Sequence, residues 1–163
     1  MPTESRQQRQ SAFSPLDDLN LRLLAELQTE PRMAMSELAR RVGMSAPAVT
    51  ERVQRLERSG VIAGYRLDLD PAALGLPITA FARIRPSPGQ LPKVAEVAAG
   101  LPQVSECHRI TGQDCFIVKV HAAALDELEA ILDRFLLYGT TTTSIVVSTP
   151  VAPRSLPLPG DDG

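Results

Sequence analysis

The chain has 163 residues, 44% of them hydrophobic and 22% charged, and its formal net charge at pH 7 is −2. This length suits one domain or two small ones. No run of about 18 apolar residues occurs, so no membrane span is expected. Charge is unevenly distributed, since residues 1–66 have a net charge of +2 and residues 67–163 one of −4. The second half is therefore a poor candidate for contacting nucleic acid.

The sequence of the N-terminal part predicts a disordered arm followed by three helices. Residues 1–14 lack an apolar signal core and are expected to form a disordered arm. Ser36 is the predicted N-cap of the second helix, which ends at Gly43. Ser45 begins the third helix, whose first turn tolerates Pro47. The predicted helices span residues 16–28, 36–43 and 45–60.

The periodicity changes after the third helix. Residues 61–67 (VIAGYRL) predict a short hairpin or wing. Three helices followed by a wing predict a winged helix-turn-helix domain over residues 15–66. Residues 67–77 are punctuated by proline and glycine and are interpreted as a linker.

The second half of the chain alternates between strand and helix patterns in the order β-α-β-β-α-β. This order is typical of a ferredoxin-like unit, here over residues 78–152, and makes the whole chain an α+β protein. Residues 153–163 are rich in proline and glycine and predict a flexible tail. The predicted strands span residues 78–85, 104–111, 115–121 and 143–149, and the predicted helices 91–101 and 125–137.

The first predicted strand carries a signal for self-association. Ile78, Ala80, Ala82 and Ile84 face one way, and the residues between them face the other. Two helices can cover only one face of a four-stranded sheet. The other face, expected to expose phenylalanine, isoleucine and valine, would then need a partner. We therefore expect an obligate homodimer built on this sheet.

Two cysteines are too few for a disulfide framework. Cys107 and Cys115 flank a predicted hairpin turn near Gly112–Gln113, across which paired residue numbers sum to about 225. Cys107 should then face Val118 rather than Cys115. Free thiols are expected, which fits a reducing cytoplasm.

The third helix carries the strongest functional signal. Residues 32–66 hold seven arginines and three glutamates, a net charge of +4 within a chain of −2. A local positive block on a helix-turn-helix predicts docking onto the phosphates of duplex DNA. Its alternative is a solvated helix face with Arg52 held in an internal salt bridge. The candidate DNA-binding residues are Ser36, Ser45, Ala46, Pro47, Ala48, Thr50, Glu51, Arg52 and Arg55.

The turn at residues 111–114 is a candidate ligand site, because exposed backbone N–H groups can hold a carboxylate. Threonines in residues 140–144 could supply hydroxyl groups. The alternatives are an ordinary hairpin turn and β-propensity on an edge or dimer strand. His108 and His121 match no zinc spacing, and no catalytic motif occurs, so neither a metal, a cofactor nor catalysis is expected.

With these residues in view, the chain resembles the Lrp/AsnC (feast/famine) family of transcriptional regulators. The resemblance rests on LDDLNLRLLAELQTEPR, on TGQDCFIVKV, on TTTTSIVVSTPV and on a continuous pattern from Val49 through Arg52 and Gly60 to Tyr65. It implies a C-terminal ferredoxin-like domain called RAM, sheet-to-sheet dimers that often form octamers, and an amino acid or related effector. The effector contacts that it implies are Gly112, Gln113, Asp114, Thr141 and Thr143.

The chain departs from the family pattern at three positions. Asp114 and Cys115 stand where tyrosine and aspartate are usual, and Asn20 stands where the first helix often has aspartate. Two alternatives to a ligand-modulated regulator remain at this point. One is an enzyme, because haem-pathway decarboxylases share the two-domain architecture, and the other is a nucleoid-organising protein with little sequence preference.

Overall fold

A computed structural model describes residues 16–160 of the chain. The chain divides into two compact units, one of Met1–Leu67 with Pro153–Gly163 and one of Asp68–Ala152. The predicted arm over residues 1–14 lies outside the described residues. The described part of the tail belongs to the first unit, where Gln28 Nε2 donates to the Leu156 carbonyl at 3.1 Å.

The first unit is built from three helices, α1 Asp18–Thr29, α2 Met35–Val42 and α3 Ala46–Arg58. Asp17 caps α1, since its Oδ1 accepts from the Asn20 N–H at 2.7 Å. Gly43 ends α2 with a left-handed φ of 73°, which lets the chain turn sharply into α3. Fully buried Leu23, Leu38 and Val49 come from the three different helices and form the core.

Residues 61–67 were predicted as a short hairpin or wing, and this part of the described chain contains no strand. Ile62 is half-buried against the helical core, and its N–H donates to the Leu56 carbonyl at 3.1 Å. A two-stranded hairpin is marginal without a third strand or a packed face. Residues 63–67 are exposed, so nothing among residues 16–67 and 153–160 of this unit supports such a ladder.

The second unit is the predicted βαββαβ fold. The elements span β1 Ile78–Pro86, α4 Leu91–Gly100, β2 Val104–Arg109, β3 Phe116–Ala122, α5 Leu125–Leu136 and β4 Gly139–Ile145. The four strands form one antiparallel sheet in the order β2-β3-β1-β4.

The last strand begins earlier than predicted. It spans Gly139–Ile145 rather than residues 143–149, so the β-branched threonines belong to its body. Gly139 lies against the backbone of β1, where a Cβ atom would be only 2.2 Å from the Arg85 carbonyl oxygen. Glycine therefore allows the close approach at which the β1–β4 ladder starts.

The helices cover one face of the sheet and leave the other open. Ala80, Ala82 and Ile84 are fully buried on the covered face, as the alternation predicted. Phe81 lies on the open face with 37% of its surface exposed. Val118 and Val120 of β3 do not contribute to the open face, because both are buried on the covered face. The open face is therefore more polar than the sequence argument assumed.

The two cysteines are free, as predicted. Cys107 pairs with Val118 across the β2–β3 ladder, in the predicted register. Burial raises the pKa of the Cys107 thiol, which disfavours its reactive thiolate. The described helices include none that is long and apolar enough to cross a membrane.

Candidate functional site

The start of α3 leaves its capping serine available. The Ser45 carbonyl accepts the Val49 N–H at 3.1 Å, but among the described residues its hydroxyl makes no capping bond. Pro47 occupies the first turn, where no backbone N–H is required. Thr50 Oγ1 donates to the Ala46 carbonyl at 2.9 Å, so this hydroxyl is engaged within the helix. Ser45 and Pro47 are exposed.

The body of α3 separates a buried stripe from an exposed one. Val49, Val53 and Leu56 are at most 4% exposed and pack into the first unit. Ala46, Ala48 and Thr50 are half-buried along the flanks of the helix. The exposed positions of the helix are Pro47, Glu51, Gln54, Arg55, Glu57 and Arg58. The sequence predicted this division, and it presents the polar stripe to whatever docks on the helix.

Arg52 is held inside the unit rather than presented outward. Its Nη1 lies 2.9 Å from Asp17 Oδ2 and 3.0 Å from Asn20 Oδ1. The hydrogen bond from Arg52 lowers the pKa of the Asp17 carboxyl, helped by the backbone N–H of Asn20. Asn20 is completely buried. The internal salt bridge named above as the alternative is therefore present, and Arg52 ties α3 to the start of α1.

Ser36 does not cap α2, contrary to the prediction. The N-cap is Ala34, whose φ and ψ of −66° and 144° are extended and whose carbonyl accepts the Leu38 N–H at 2.9 Å. Met33 is buried immediately before the helix. Packing of that side chain fixes where the chain turns and outweighs the capping preference of serine. Ser36 is the exposed second residue of the helix.

Ion pairs partly neutralise the positive charge of residues 32–66. Arg41 contacts Glu26 at 2.9 Å, Glu30 at 3.2 Å and Glu37 at 2.9 Å. Hydrogen bonds from Arg40 and then Arg41 lower the pKa of Glu37 to about 2. On α3, Arg55 Nη2 pairs with Glu51 Oε1 one turn earlier. These exposed pairs are weak and exchangeable, so their arginines can turn to a phosphate.

The turn after β2 places its three candidate effector residues beside two arginines. Gly112 has a φ of 112°, a conformation that favours glycine. Arg85 Nη2 donates to Gln113 Oε1 at 2.7 Å. Asp114 lies 3.8 Å from the Arg83 guanidinium and 3.7 Å from that of Arg85. Sequence reasoning placed these arginines on the open face but did not connect them with the turn.

The other two candidate effector residues do not join this group. Thr141 pairs with Ile84 and Thr143 with Ala82 across the β1–β4 ladder. Directly opposed residues share a face, so both threonines lie on the helix-covered side. The hydroxyls on the open face belong to Thr140 and Thr142. Successive residues of a strand face opposite sides of the sheet, so the two pairs of threonines are presented to different surfaces.

The histidines have local structural partners. His121 Nδ1 lies 3.0 Å from Thr79 Oγ1, and its Nε2 lies 2.9 Å from Ser105 Oγ. Burial lowers the pKa of His121, with a smaller contribution from the nearby Lys119. The described residues contain no group of three or more metal-ligating side chains.

A helix-turn-helix unit joined to a βαββαβ unit defines a class of two-domain DNA-binding regulators. Residues 16–63 match the winged helix-turn-helix DNA-binding family, and residues 79–156 match the Lrp/AsnC ligand binding domain. Over 133 residues the chain is 32% identical to the HTH-type transcriptional regulator LrpC of Bacillus subtilis (strain 168). The aligned region covers 82% of this chain and 92% of LrpC. The chain belongs to the Lrp/AsnC family of transcriptional regulators.

Two further relatives show the extent of the likeness. The leucine-responsive regulatory protein of Rhizobium meliloti (strain 1021) is 38% identical over 134 residues, covering 80% of this chain and 83% of that protein. The feast or famine regulatory protein from M. tuberculosis complexed with L-methionine has a TM-score of 0.81 and 33% identity, covering 88% of this chain and 99% of that one. Because such relatives are named regulators, the enzyme alternative is set aside.

Proposed function

We propose that this regulator reads duplex DNA with α3 lying in the major groove. The observation that carries this proposal is the outward stripe of α3, opposite its fully buried residues. The helix has 13 residues and is therefore about 20 Å long. A helix of ordinary diameter fits the major groove, which is about 12 Å wide.

Individual roles follow from the positions of the side chains. The exposed Ser45 hydroxyl and the methyl group of Ala48 belong to the first turns, which contact base edges in helix-turn-helix proteins. Arg55 and Arg58 lie further along the outward stripe and are assigned to phosphates. Arg52 is assigned the role of positioning α3 against α1, because its guanidinium already donates hydrogen bonds to Asp17 and Asn20.

The test is the salt dependence of binding by an Arg55→Ala/Arg58→Ala variant. Each lost phosphate contact should reduce the slope of log affinity against log salt by about 1, uniformly across sequences. Arg134→Ala removes an exposed arginine from the second unit and serves as the matched control. Unchanged affinity and slope in the double variant would refute the assignment of α3.

We also propose that a small molecule, such as an amino acid, modulates this regulator near residues 111–114. Support comes from the exposed turn and from the M. tuberculosis relative complexed with L-methionine. A thermal-shift screen of the twenty amino acids tests the proposal, because ligand at 100 times its dissociation constant adds about 2.7 kcal/mol. No shift with any of them at millimolar concentration would count against an amino-acid effector.

We further propose that the protein acts in the cytoplasm as a homodimer that can assemble into octamers. One sheet face is open, and the side chains of Tyr65, Leu67 and Leu69 are 58%, 81% and 56% exposed. Exposed apolar side chains favour pairing with a second copy. Two copies of α3 about 34 Å apart would then fit successive major grooves on one side of a palindrome. Light scattering should then give at least twice the 17.6 kDa mass of the chain. A monomeric mass would refute the proposed homodimer.

A further inference from the structure

A groove on the helical unit has the C-terminal tail of the chain at its edge. The groove has a volume of about 520 Å³, and its largely apolar lining comes from the end of α1, the turn after it and the residues that follow α3. All of the lining residues belong to the first unit, including the one that the tail supplies. We call it the α1 groove, and its lining includes Leu24, Leu27, Gln28, Pro31, Ile62 and Ser155.

A hydrogen bond holds the tail at this groove. Gln28 Nε2 donates to the Leu156 carbonyl at 3.1 Å, between residues 128 positions apart in the chain. Leu158 is half-buried, whereas Leu156 is 79% exposed. The tail is therefore attached at the rim, with one apolar side chain still in water next to an apolar groove.

The sequence of the tail suits a segment that docks in a groove. Residues 156–159 read LPLP, and proline favours the extended polyproline II conformation for itself and for the residue before it. Such a segment makes no internal hydrogen bonds, so its carbonyls are available to a donor such as Gln28. It also loses little conformational freedom on docking, which is why proline-rich segments recur as ligands of grooves.

Much of this segment is particular to the chain. The match to the ligand binding domain family ends at residue 156, whereas the described tail continues to Gly160. Leu158 and the two prolines beside it therefore lie beyond the matched region. Their docking has to be explained from this chain's own contacts.

We propose that residues 153–160 form a strap that docks in the α1 groove of the same chain, with Leu156 closing into the groove from its rim. Burial of this exposed leucine favours closure. The chain leaves the first unit after Leu67 and returns to it at Pro153, so a docked strap gives the helical unit a second connection to the other unit. This docking uses α1 and leaves the open sheet face to the second copy.

Hydrogen exchange of the α1 amides in the whole protein measures the docking. Deleting residues 153–163 should lower the protection of α1 about tenfold, the effect of one hydrogen bond together with partial burial of a leucine. Protection of β3, in the second unit, should stay at the wild-type level. Deleting only residues 161–163 is the matched control and should change neither.

A synthetic peptide of residues 153–160 tests the same site independently. Added to the chain truncated after Ala152, it should restore α1 protection, whereas a peptide with serine in place of both leucines should not. In the whole chain, Leu156→Ser/Leu158→Ser should reproduce the truncation. Leu137→Ser is the control, since Leu137 is a 73% exposed leucine of the second unit. Wild-type α1 protection in the truncated chain would overturn the strap, and in the double serine variant it would overturn the role of the leucines.

A cross-link distinguishes the chain's own tail from that of a second copy. Gln28→Cys/Ser155→Cys places two thiols on the groove lining, in a background of Cys107→Ser/Cys115→Ser that removes the native ones. After treatment with a short bifunctional maleimide, we expect both thiols to be joined within a chain of 17.6 kDa under denaturing conditions. A product of twice that mass would overturn docking within one chain, and the absence of any cross-link would overturn the strap itself.

Discussion

Replacing Arg52 with alanine distinguishes an internal anchor from a DNA contact. In the structure its guanidinium bonds Asp17 at the start of α1 and the fully buried Asn20, which are 35 and 32 positions away in the chain. Removing it takes away one charge-assisted bond to a buried acceptor and one ion pair. Arg58→Ala is the matched control, since Arg58 is an exposed arginine on the same helix.

The magnitude follows from the two contacts. A hydrogen bond between a charged group and a buried partner contributes about 1.5–3 kcal/mol. The Arg52–Asp17 pair, with side chains 28% and 37% exposed, contributes less because water screens it, about 0.2–1 kcal/mol. Arg52→Ala should therefore destabilise the helical unit by about 2–4 kcal/mol. The Arg58 control should change its stability by about 0.5 kcal/mol or less.

Hydrogen exchange of the α1 and α3 amides is the appropriate assay, because the two units need not unfold together. At roughly 1.4 kcal/mol per factor of ten, protection should fall about 30- to 800-fold in Arg52→Ala. The expected DNA-binding defect should then shrink when the helical unit is stabilised, for example by an osmolyte. If protection stays at the wild-type level while DNA affinity falls, Arg52 contacts DNA and the anchor role is wrong.

Two further predictions concern other contacts. Gly139→Ala should destabilise the second unit by about 1–3 kcal/mol, because its Cβ would lie 2.2 Å from the Arg85 carbonyl oxygen. Urea titration of both variants measures this. Gly100→Ala, whose added Cβ would meet open space, should leave the free energy of unfolding nearly unchanged, and equal destabilisation by the two substitutions would contradict the packing argument. Arg40 and Arg41 lower the pKa of Glu37, so its stabilisation is present above about pH 4.5 and is lost as pH falls towards 2. Glu37→Gln should flatten that pH dependence, and an unchanged profile in acid-range urea titrations would exclude the ion pair as its cause.

The sequence predicted the elements whose signal is local. Val49, Val53 and Leu56 recur at helical spacing, and the pairing of Cys107 with Val118 follows from counting outward from one turn. These features depend on residues close together in the chain. The order and class of all six elements in the second unit were predicted for the same reason.

Features that depend on distant partners were missed. The start of β4 depends on whether β1 can approach Gly139, and residues 61–67 form no strand in the described part of the chain. An internal salt bridge of Arg52 was named as an alternative, but sequence spacing could not identify its partner Asp17, because the two residues are 35 positions apart. The faces of Thr141 and Thr143 depend on the β1–β4 register, which no short turn fixes.

The central claim is that α3 reads the major groove, and footprinting on a duplex selected by the protein from random sequence tests it most directly. Dimethyl sulfate modifies guanine N7, an atom that lies in the major groove. We predict an enriched sequence in which guanine N7 is protected in two patches about 10 base pairs apart, since a dimer places two recognition helices one turn apart. Arg55→Ala/Arg58→Ala should reduce both protections at equal protein concentration. Enrichment of no sequence, or binding without N7 protection, would contradict the account.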